Sequence, residues 1–347
     1  MLKRPGFEIG GELILPGTRR TVDLPVSSLS DHTPVNMSAH VIQGKTNGPV
    51  FFVSAGVHGD EVIGIEIVRR LLKSPALRGL GGTLIVVPIV NSFGFINRSR
   101  YLPDRRDLNR SFPGSAGGSL AARLAYLFSK EIVERADVGI DLHSAAIHRI
   151  NYPQVRVSPD DPEARKMADI FGAPIIMESP VRQGSLRKSA KDLGTTVLLY
   201  EAGEGLRFDE VSVRAGQVGI LRVMKSLDMI SGRGVASAKA LPQFCPSSKW
   251  LRAPMGGLFR SLKADGDPVR KDDVLGVVSD PFGEVETEVT ASFDGIIVGR
   301  AVLPVVNEGD AIFHLARVQS VKTAENAMDD HSSQLADDPM FDEDEII

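Results

Sequence analysis

The sequence predicts an α/β fold, a mostly parallel or mixed sheet flanked by helices, followed by a small all-β barrel-like domain. Two observations carry this prediction. From residue 49 to about residue 230, apolar runs alternate with segments of helical periodicity, which is typical of a parallel or mixed sheet. After residue 250 the helical period disappears, and short apolar pieces recur between Gly and Asp turns.

The elements of the α/β part follow one another in a regular order. The strand "PVFFVSAG" comes first, and "DEVIGIEIVRRLLK" follows it with apolar residues at helical spacing. "GTLIVVPIV" and "DVGIDL" are continuous apolar runs, as expected of strands that are buried on both faces. "DDPEARKMADIFG" predicts a helix that ends at Gly172, and "TTVLLY" predicts a strand before the long closing helix "EVSVRAGQVGILRVMKSLDMI".

Four segments follow from this order. Residues 1–45 mix short β-like pieces with Pro and Gly, and we expect them to pack on the α/β domain of residues 46–235. The Gly, Ser and Pro in "SGRGVASAKALPQFCPSS" indicate a linker before the all-β domain of residues 245–318. Residues 323–347 contain nine Asp or Glu and no Lys or Arg, which predicts a disordered acidic tail.

The composition argues against several classes of protein. No apolar run reaches the roughly 18–20 residues of a membrane helix, and the N-terminus lacks the apolar core of a secretory signal. Because Cys245 is the only cysteine, no intrachain disulfide can form, and we expect a cytoplasmic protein. We expect neither nucleic acid nor membrane as a partner, and homo-oligomer formation stays open.

Polar residues follow three of the predicted strands at the point where each strand ends. His58 follows "FFVSAGV", His143 follows "DVGIDL" and Glu201 follows "TTVLLY". In open α/β sheets ligands bind at the carboxyl ends of the strands, so these side chains are expected to converge. Two imidazoles and a carboxylate, with one position left for water, make a catalytic zinc site. His58, Glu61 and His143 supply this set for one zinc ion per subunit, and Glu201 is the candidate general base.

An ordinary structural role is the alternative for each of these residues. An H-x-x-E pair occurs often by chance, and Glu201 alone could cap a helix or form a salt bridge. His148 lies near His143 in the sequence and is therefore an alternative ligand. The convergence of four residues at strand ends favours the metal site. Ordinary roles are expected of the other histidines, which are His32, His40, His148, His314 and His331.

The stretch "NRSRYLPDRRDLNRSFPG", residues 97–114, contains five arginines. A guanidinium can grip a carboxylate with two parallel hydrogen bonds. Another arginine near the metal could stabilise a tetrahedral oxyanion, which is worth about 3–4 kcal/mol in acyl transfer. A basic surface loop is the alternative, but together with the zinc pattern the stretch indicates a site for a substrate carboxylate.

Four motifs, "GVHGDE", "DLNRSFPG", "DLHS" and "YEAGEG", occur in this order. Together they resemble the succinylglutamate desuccinylase and aspartoacylase family, over about residues 45–230. The resemblance implies the zinc carboxypeptidase fold. The later β domain resembles the barrel-like C-terminal domain of these relatives, which is similar to a biotinyl or lipoyl domain. No lysine stands at the "ASFDGII" turn, so no attached prosthetic group is expected.

The resemblance also implies roles for individual residues. The three ligands named above would hold zinc, and Glu201 would activate the water and later protonate the leaving amine. Asn109 and Arg110 would bind the carboxylate of the substrate. Arg100 best matches the arginine of the family near the scissile carbonyl, although it stands two residues further from the Asn-Arg pair than expected. The alternatives for that role are Arg98, Arg105 and Arg106.

Two departures from the family leave the substrate open. A further substrate arginine is expected between the last histidine and the glutamate, where Arg182 and Arg187 are equal candidates. Relatives use a late tyrosine, and none of the four tyrosines of this chain matches it. We therefore expect a zinc-dependent deacylase that cleaves the amide of a small, acidic N-acyl amino acid. The alternatives are a metallocarboxypeptidase acting on a short peptide and a metal-dependent binding protein without turnover.

Overall fold

One sheet of 13 strands runs through both parts of the chain in the computed structural model, which describes residues 4–238 and 240–336. The strands are β1 (Phe7–Ile9), β2 (Glu12–Ile14), β3 (Thr18–Ser28), β4 (Pro34–Gln43), β5 (Thr46–Ala55), β6 (Gly81–Val87), β7 (Val138–His143), β8 (Arg149–Val157), β9 (Ile175–Glu178), β10 (Thr196–Glu204), β11 (Gln243–Cys245), β12 (Ser248–Arg252), β13 (Gly257–Ser261), β14 (Pro268–Val269), β15 (Val274–Ser279), β16 (Glu286–Thr290), β17 (Gly295–Ala301), β18 (Val305–Val306) and β19 (Ala311–Arg317).

Helices cover both faces of the α/β part of this sheet. They are α1 (Ile63–Lys73), α2 (Ser92–Asn97), α3 (Leu120–Glu131), α4 (Pro162–Phe171), α5 (Leu186–Asp192), α6 (Glu210–Ser226) and α7 (Val321–Ala336). Apolar side chains of α1, α4 and α6 pack on one face, and those of α2, α3 and α5 pack on the other. Within the described part of the chain, no helix is both long and apolar enough to cross a membrane.

The strand order across the large sheet is β12-β19-β17-β8-β10-β7-β5-β6-β4-β3. β6, β5, β7 and β10 are parallel neighbours, whereas β8 is antiparallel to β10 and β4 is antiparallel to β6. The predicted fold class, an α/β fold with a mixed sheet and a further all-β part, is confirmed. Since β5, β7 and β10 are parallel, their carboxyl ends lie at the same edge of the sheet.

The C-terminal strands continue the large sheet instead of folding apart from it. β17 pairs antiparallel with β8, and β19 and β12 extend the sheet beyond it. A second sheet, in the order β16-β15-β13-β18, closes a separate apolar core over these strands. β11 lies within the predicted linker and pairs in parallel with β9. We call the region from β12 to β19 the β module.

The prediction of disorder from residue 323 is wrong for the part that the structure describes. α7 spans Val321–Ala336 and buries one stripe of residues at helical spacing, namely Val321, Ala324, Met328 and His331. This stripe packs against Ile296 and Val298 of β17. The low average hydropathy of the segment concealed the stripe, because only one residue in three or four has to be apolar to dock a helix. Residues 337–347 lie outside the described residues.

Phe171 provides a test of how the helical layer is attached to the sheet. It ends α4, is fully buried, and packs at a tilt against Tyr200 of β10 with ring centroids 5.2 Å apart. A Cβ built on Gly219 of α6 would lie 2.3 Å from its ring, so the two helices meet there without a gap. Phe171→Ala is expected to lower the free energy of unfolding by about 3–5 kcal/mol, measured by denaturant titration.

The control for this prediction is Phe282→Ala. Phe282 is 84% exposed, so its removal is expected to change the free energy of unfolding by less than about 0.5 kcal/mol. Equal losses in the two variants would contradict the packing of α4 against β10.

Candidate active site

The turn after β5 carries two of the predicted metal ligands. β5 ends at Ala55, and Gly56 turns the chain with a φ of 63° that favours glycine. The backbone N–H of Glu61 then donates to the carbonyl of His58, which closes a tight turn before α1. Both side chains are buried at the carboxyl edge of the sheet.

The remaining predicted residues come from the neighbouring strands. His143 is the last residue of β7, and Glu201 lies in β10 directly beside it in the parallel register. The predicted convergence at the strand ends is therefore what the structure shows. His148 lies exposed beyond β7 and does not join the cluster.

The Glu61 carboxylate lies between the two imidazoles. Its Oε1 is 2.6 Å from His58 Nδ1, and its Oε2 is 2.6 Å from His143 Nδ1. One ligand atom from each of the three residues lies within 4.8 Å of the others, so one divalent ion could contact all three. Two imidazole nitrogens and a carboxylate oxygen are a donor set that suits zinc.

The opposite nitrogens of both rings are held by further carboxylates. His58 Nε2 lies 3.0 Å from Asp107 Oδ1, and His143 Nε2 lies 2.8 Å from Asp141 Oδ2. Ser54 Oγ donates to the other oxygen of Asp141 at 2.7 Å. Metal-binding histidines usually present their second nitrogen to such a carboxylate, which fixes the tautomer and the ring orientation. The residues present therefore fit a divalent metal.

The charges of this cluster compensate for its burial. Burial favours the neutral carboxylic acid, but His58 and His143 together hold the pKa of the Glu61 carboxyl below its usual range. Burial would lower the pKa of His143, but Asp141 and Glu61 raise it well above its usual value. Glu61 therefore stays a carboxylate, the form in which it can bind a cation.

Glu201 faces the same cavity from β10, and two donors fix its carboxylate. Asn151 Nδ2 donates to Glu201 Oε2 at 2.8 Å. The Arg156 guanidinium contacts the same oxygen at 2.7 Å. Both donors lie on β8, the antiparallel neighbour of β10. Two donors thus anchor Oε2 of Glu201, which restricts the position of Oε1.

The cavity has a volume of about 430 Å³ and is strongly cationic. Three carboxylates line it, from Glu61, Asp141 and Glu201. The guanidinium groups that line it are those of Arg100, Arg110, Arg149, Arg156, Arg182 and Arg187. A larger groove of about 880 Å³, lined in part by the end of α1 and the loops before β5 and β6, contains none of the candidate residues.

The structure separates the four candidates for the arginine near the metal site. Arg100 lines the cavity, donates to Asp107 Oδ2 at 2.9 Å and lies 3.2 Å from Glu61 Oε1. Its alternatives Arg98, Arg105 and Arg106 are exposed, and none of them lines the cavity. Arg98 and Arg105, on either side of Arg100, have positive φ angles of 52° and 61°.

The predicted substrate residues also border the cavity. Asn109 Oδ1 accepts a hydrogen bond from the backbone N–H of Leu186 at the start of α5, and Arg110 donates to the carbonyl of Asn109. Of the two later arginines, Arg182 is exposed at the rim and Arg187 is partly buried in the wall.

Arg187 has an unusual environment for a guanidinium. Its hydrogen bonds go to the backbone carbonyls of Arg156 and Ser179, at 3.3 and 3.4 Å, and within the described residues it forms no ion pair. Burial, together with the charge of Arg156, lowers the pKa of Arg187 to about 10. It is therefore still a cation at neutral pH, and an anion placed beside it would be strongly stabilised.

Several residues of the site were not predicted. Asp107 and Asp141 belong to the quoted motifs, and Asp141 stands two residues before His143, a spacing that puts both on the same side of a strand. That spacing is a signal that could have identified it. No local signal pointed to Trp250 and His314 of the β module, whose rings stack 4.6 Å apart and line the cavity. An ordinary role had been expected of His314.

The chain is similar in sequence and fold to several known proteins. A relative from Halomonas elongata, N-alpha-acetyl-L-2,4-diaminobutyric acid deacetylase, is 28% identical over 307 residues, which is 85% of this chain and 90% of the relative. A succinylglutamate desuccinylase/aspartoacylase structure from Rhodobacter sphaeroides has a TM-score of 0.76 at 26% identity, over 86% of this chain and 96% of that one.

The product-bound ectoine utilization protein EutE (DoeB) from Ruegeria pomeroyi has the same fold. Its TM-score is 0.77 at 24% identity, over 86% of this chain and 94% of that one. The family described as succinylglutamate desuccinylase/aspartoacylase catalytic domain matches residues 47–227, which is more than half of the chain and includes the whole His-Glu-His cluster. The chain therefore belongs to the succinylglutamate desuccinylase/aspartoacylase family of amide deacylases.

Proposed function

We propose that this protein is a zinc-dependent hydrolase that cleaves the amide bond of a small N-acyl amino acid. One observation carries the proposal: the Glu61 carboxylate lies between two imidazoles, and Glu201 faces the same cavity from the adjacent strand. The family and the Halomonas relative, a deacetylase by name, support amide cleavage.

His58, Glu61 and His143 would hold the metal, with Asp107 and Asp141 fixing the two rings. When bound, zinc lowers the pKa of a coordinated water to about 7 and polarises a carbonyl group. Glu61 and both histidines are almost fully shielded from solvent, so their positions are set by the sheet before any substrate arrives.

Glu201 would act as the general base and then as the general acid. Its carboxylate oxygen takes a proton from the attacking water and returns it to the amine that leaves. Asn151 and Arg156 keep the carboxylate in place for both transfers. Arg100, which also lines the cavity, would stabilise the negative charge that develops on the acyl oxygen.

The charge of the cavity supports an acidic substrate. Arg187 lacks a carboxylate partner among the described residues, and we assign it to a carboxylate of the substrate together with Asn109 and Arg110. Arg182 lies at the rim and would act at longer range. The excess of guanidinium groups disfavours an ammonium group on the substrate, such as the free 4-amino group of the substrate named for the Halomonas relative.

A carboxypeptidase acting on short peptides is the second candidate. It needs a cleft that is open at the end where the rest of the peptide emerges. Trp250 and His314 of the β module line the cavity here, and its volume of about 430 Å³ favours a small molecule. A metal-dependent binding protein without turnover would not need Glu201 to be held by two donors.

Hydrolysis of a substrate panel tests the proposal directly. With zinc added, we expect the protein to hydrolyse N-acyl derivatives of aspartate or glutamate faster than Nα-acetyl-diaminobutyrate or short peptides. Glu201→Gln keeps the shape but cannot accept the proton, so kcat is expected to fall by about 10²–10⁴-fold while the zinc content stays the same. Normal turnover by Glu201→Gln would rule out this base, and preferential cleavage of peptides would support the carboxypeptidase.

Removal of the metal and of one supporting carboxylate is a second test. Chelation is expected to abolish hydrolysis, and added zinc is expected to restore it. Asp141→Asn removes the charge that holds His143 Nε2 and is expected to weaken zinc binding by about 10–100-fold. Competition with a chromophoric chelator measures this affinity, and an unchanged affinity would contradict the role of Asp141.

Arg187→Met tests the substrate carboxylate site. The substitution removes a cation but keeps much of the volume, so KM for an N-acyl dicarboxylate is expected to rise by at least about tenfold, with a smaller change in kcat. Arg106→Met is the matched control, because that side chain is 62% exposed and lies outside the cavity. If both variants behave like the wild type, the carboxylate is bound elsewhere.

A further inference from the structure

The β module forms part of the floor of the cavity beside the proposed base. Asn151 of β8 faces Gly299 of β17, Gly299 faces His314 of β19, and His314 faces Trp250 of β12. Residues that oppose each other in antiparallel strands project to the same face of the sheet. This row therefore continues the face on which Asn151 meets Glu201.

Gly299 leaves a gap in this row. A Cβ built on Gly299 would lie 2.6 Å from Asn151 Oδ1 and 3.0 Å from the carbonyl oxygen of Ile150. Gly299 does not have one of the positive φ angles that favour glycine, so the backbone would accept another residue. Glycine matters at this position because it has no side chain, and not because of its backbone conformation.

The amide of Asn151 occupies that gap and reaches Glu201 from it. Its Oδ1 lies over Gly299, while its Nδ2 donates to Glu201 Oε2 at 2.8 Å. Both atoms belong to one planar amide, so any shift of Oδ1 away from Gly299 also displaces Nδ2. The Asn151 residue is only 6% exposed, and the neighbouring strands restrict the other conformations that its side chain could adopt.

We propose that Gly299 is a positioning residue of the β module, which lets Asn151 hold the Glu201 carboxylate in its productive orientation. This inference rests on the proposed function, in which Glu201 is the base. It assigns the β module a part in turnover, although none of its described residues belongs to the His-Glu-His cluster. Arg156 contacts the same oxygen at 2.7 Å, so the loss of Asn151 removes one of the two anchors of Glu201.

Gly299→Ala tests the inference in combination with Asn151→Ala. Each single variant is expected to lower kcat by about ten- to hundredfold, with KM and zinc content nearly unchanged, because the base is displaced and the ligands are not. In the Asn151→Ala background, Gly299→Ala is expected to have no further effect, since the amide that it would displace is absent. The closest atom to the new Cβ is the free end of the Asn151 side chain, which can move, while the Ile150 carbonyl oxygen at 3.0 Å has to shift by only a few tenths of an ångström.

Gly256→Ala is the matched control. Gly256 also belongs to the β module, has no positive φ, and its Cβ would find no atom closer than 3.6 Å. Its kcat is expected to equal that of the wild type. If Gly299→Ala folds poorly, Asn151→Ala alone carries the test, because it only removes atoms and normal turnover by it would refute the inference.

The outcomes separate this inference from the proposed function. Full additivity of Gly299→Ala and Asn151→Ala would overturn the positioning role even if Glu201 is the base. A crystal structure of Gly299→Ala that keeps Asn151 Nδ2 within hydrogen-bond distance of Glu201 Oε2 would also overturn it. The positioning role would be supported if these two atoms are separated and the effects of Gly299→Ala and Asn151→Ala on kcat are not additive. Normal turnover by Glu201→Gln would refute the base, and with it the expected effect on kcat, whereas the crystal structure of Gly299→Ala would still report whether Gly299 positions Asn151.

Discussion

The contact of the Glu61 carboxylate with two imidazole nitrogens is the interaction on which the rest of the site depends. A buried carboxylate is costly unless charge and hydrogen bonds compensate for it, and here His58 and His143 contact both oxygens at 2.6 Å. The two rings come from residues more than 80 positions apart, so the contact requires the parallel pairing of β5 with β7. The apolar helices on both faces hold that pairing in place.

A second layer of alternating charge surrounds this contact and explains two of the sequence motifs. Asp107 of "DLNRSFPG" holds His58, and Asp141 of "DLHS" holds His143. Arg100 in turn pairs with Asp107 and reaches Glu61, so a single guanidinium connects the arginine-rich loop to the proposed metal ligands. The same charged groups that orient the two imidazole rings therefore also fix this loop. Asn109 and Arg110, which follow Asp107 in the loop, line the cavity.

The continuous sheet makes the β module part of the candidate active site. Because β17 pairs with β8, the module and the strand that holds Glu201 share one face of the sheet. Trp250 and His314 close the cavity on that side. Six guanidinium groups but only three carboxylates line the cavity, and this excess of positive charge is the physical basis for proposing an acidic substrate.

The sequence alone determined the fold class, the carboxyl ends of the strands, and the convergence of His58, Glu61, His143 and Glu201, because strand alternation and apolar runs are local signals. It failed where a local signal was ambiguous. The α7 segment suggested disorder, yet its apolar stripe docks on β17.

Only the tertiary structure decided which arginines enter the cavity, since long side chains on loops take their direction from the surrounding packing. The tertiary structure alone placed Asn151 over Gly299, which is almost 150 residues away in the sequence. Local sequence patterns do not indicate which strands pair at that distance.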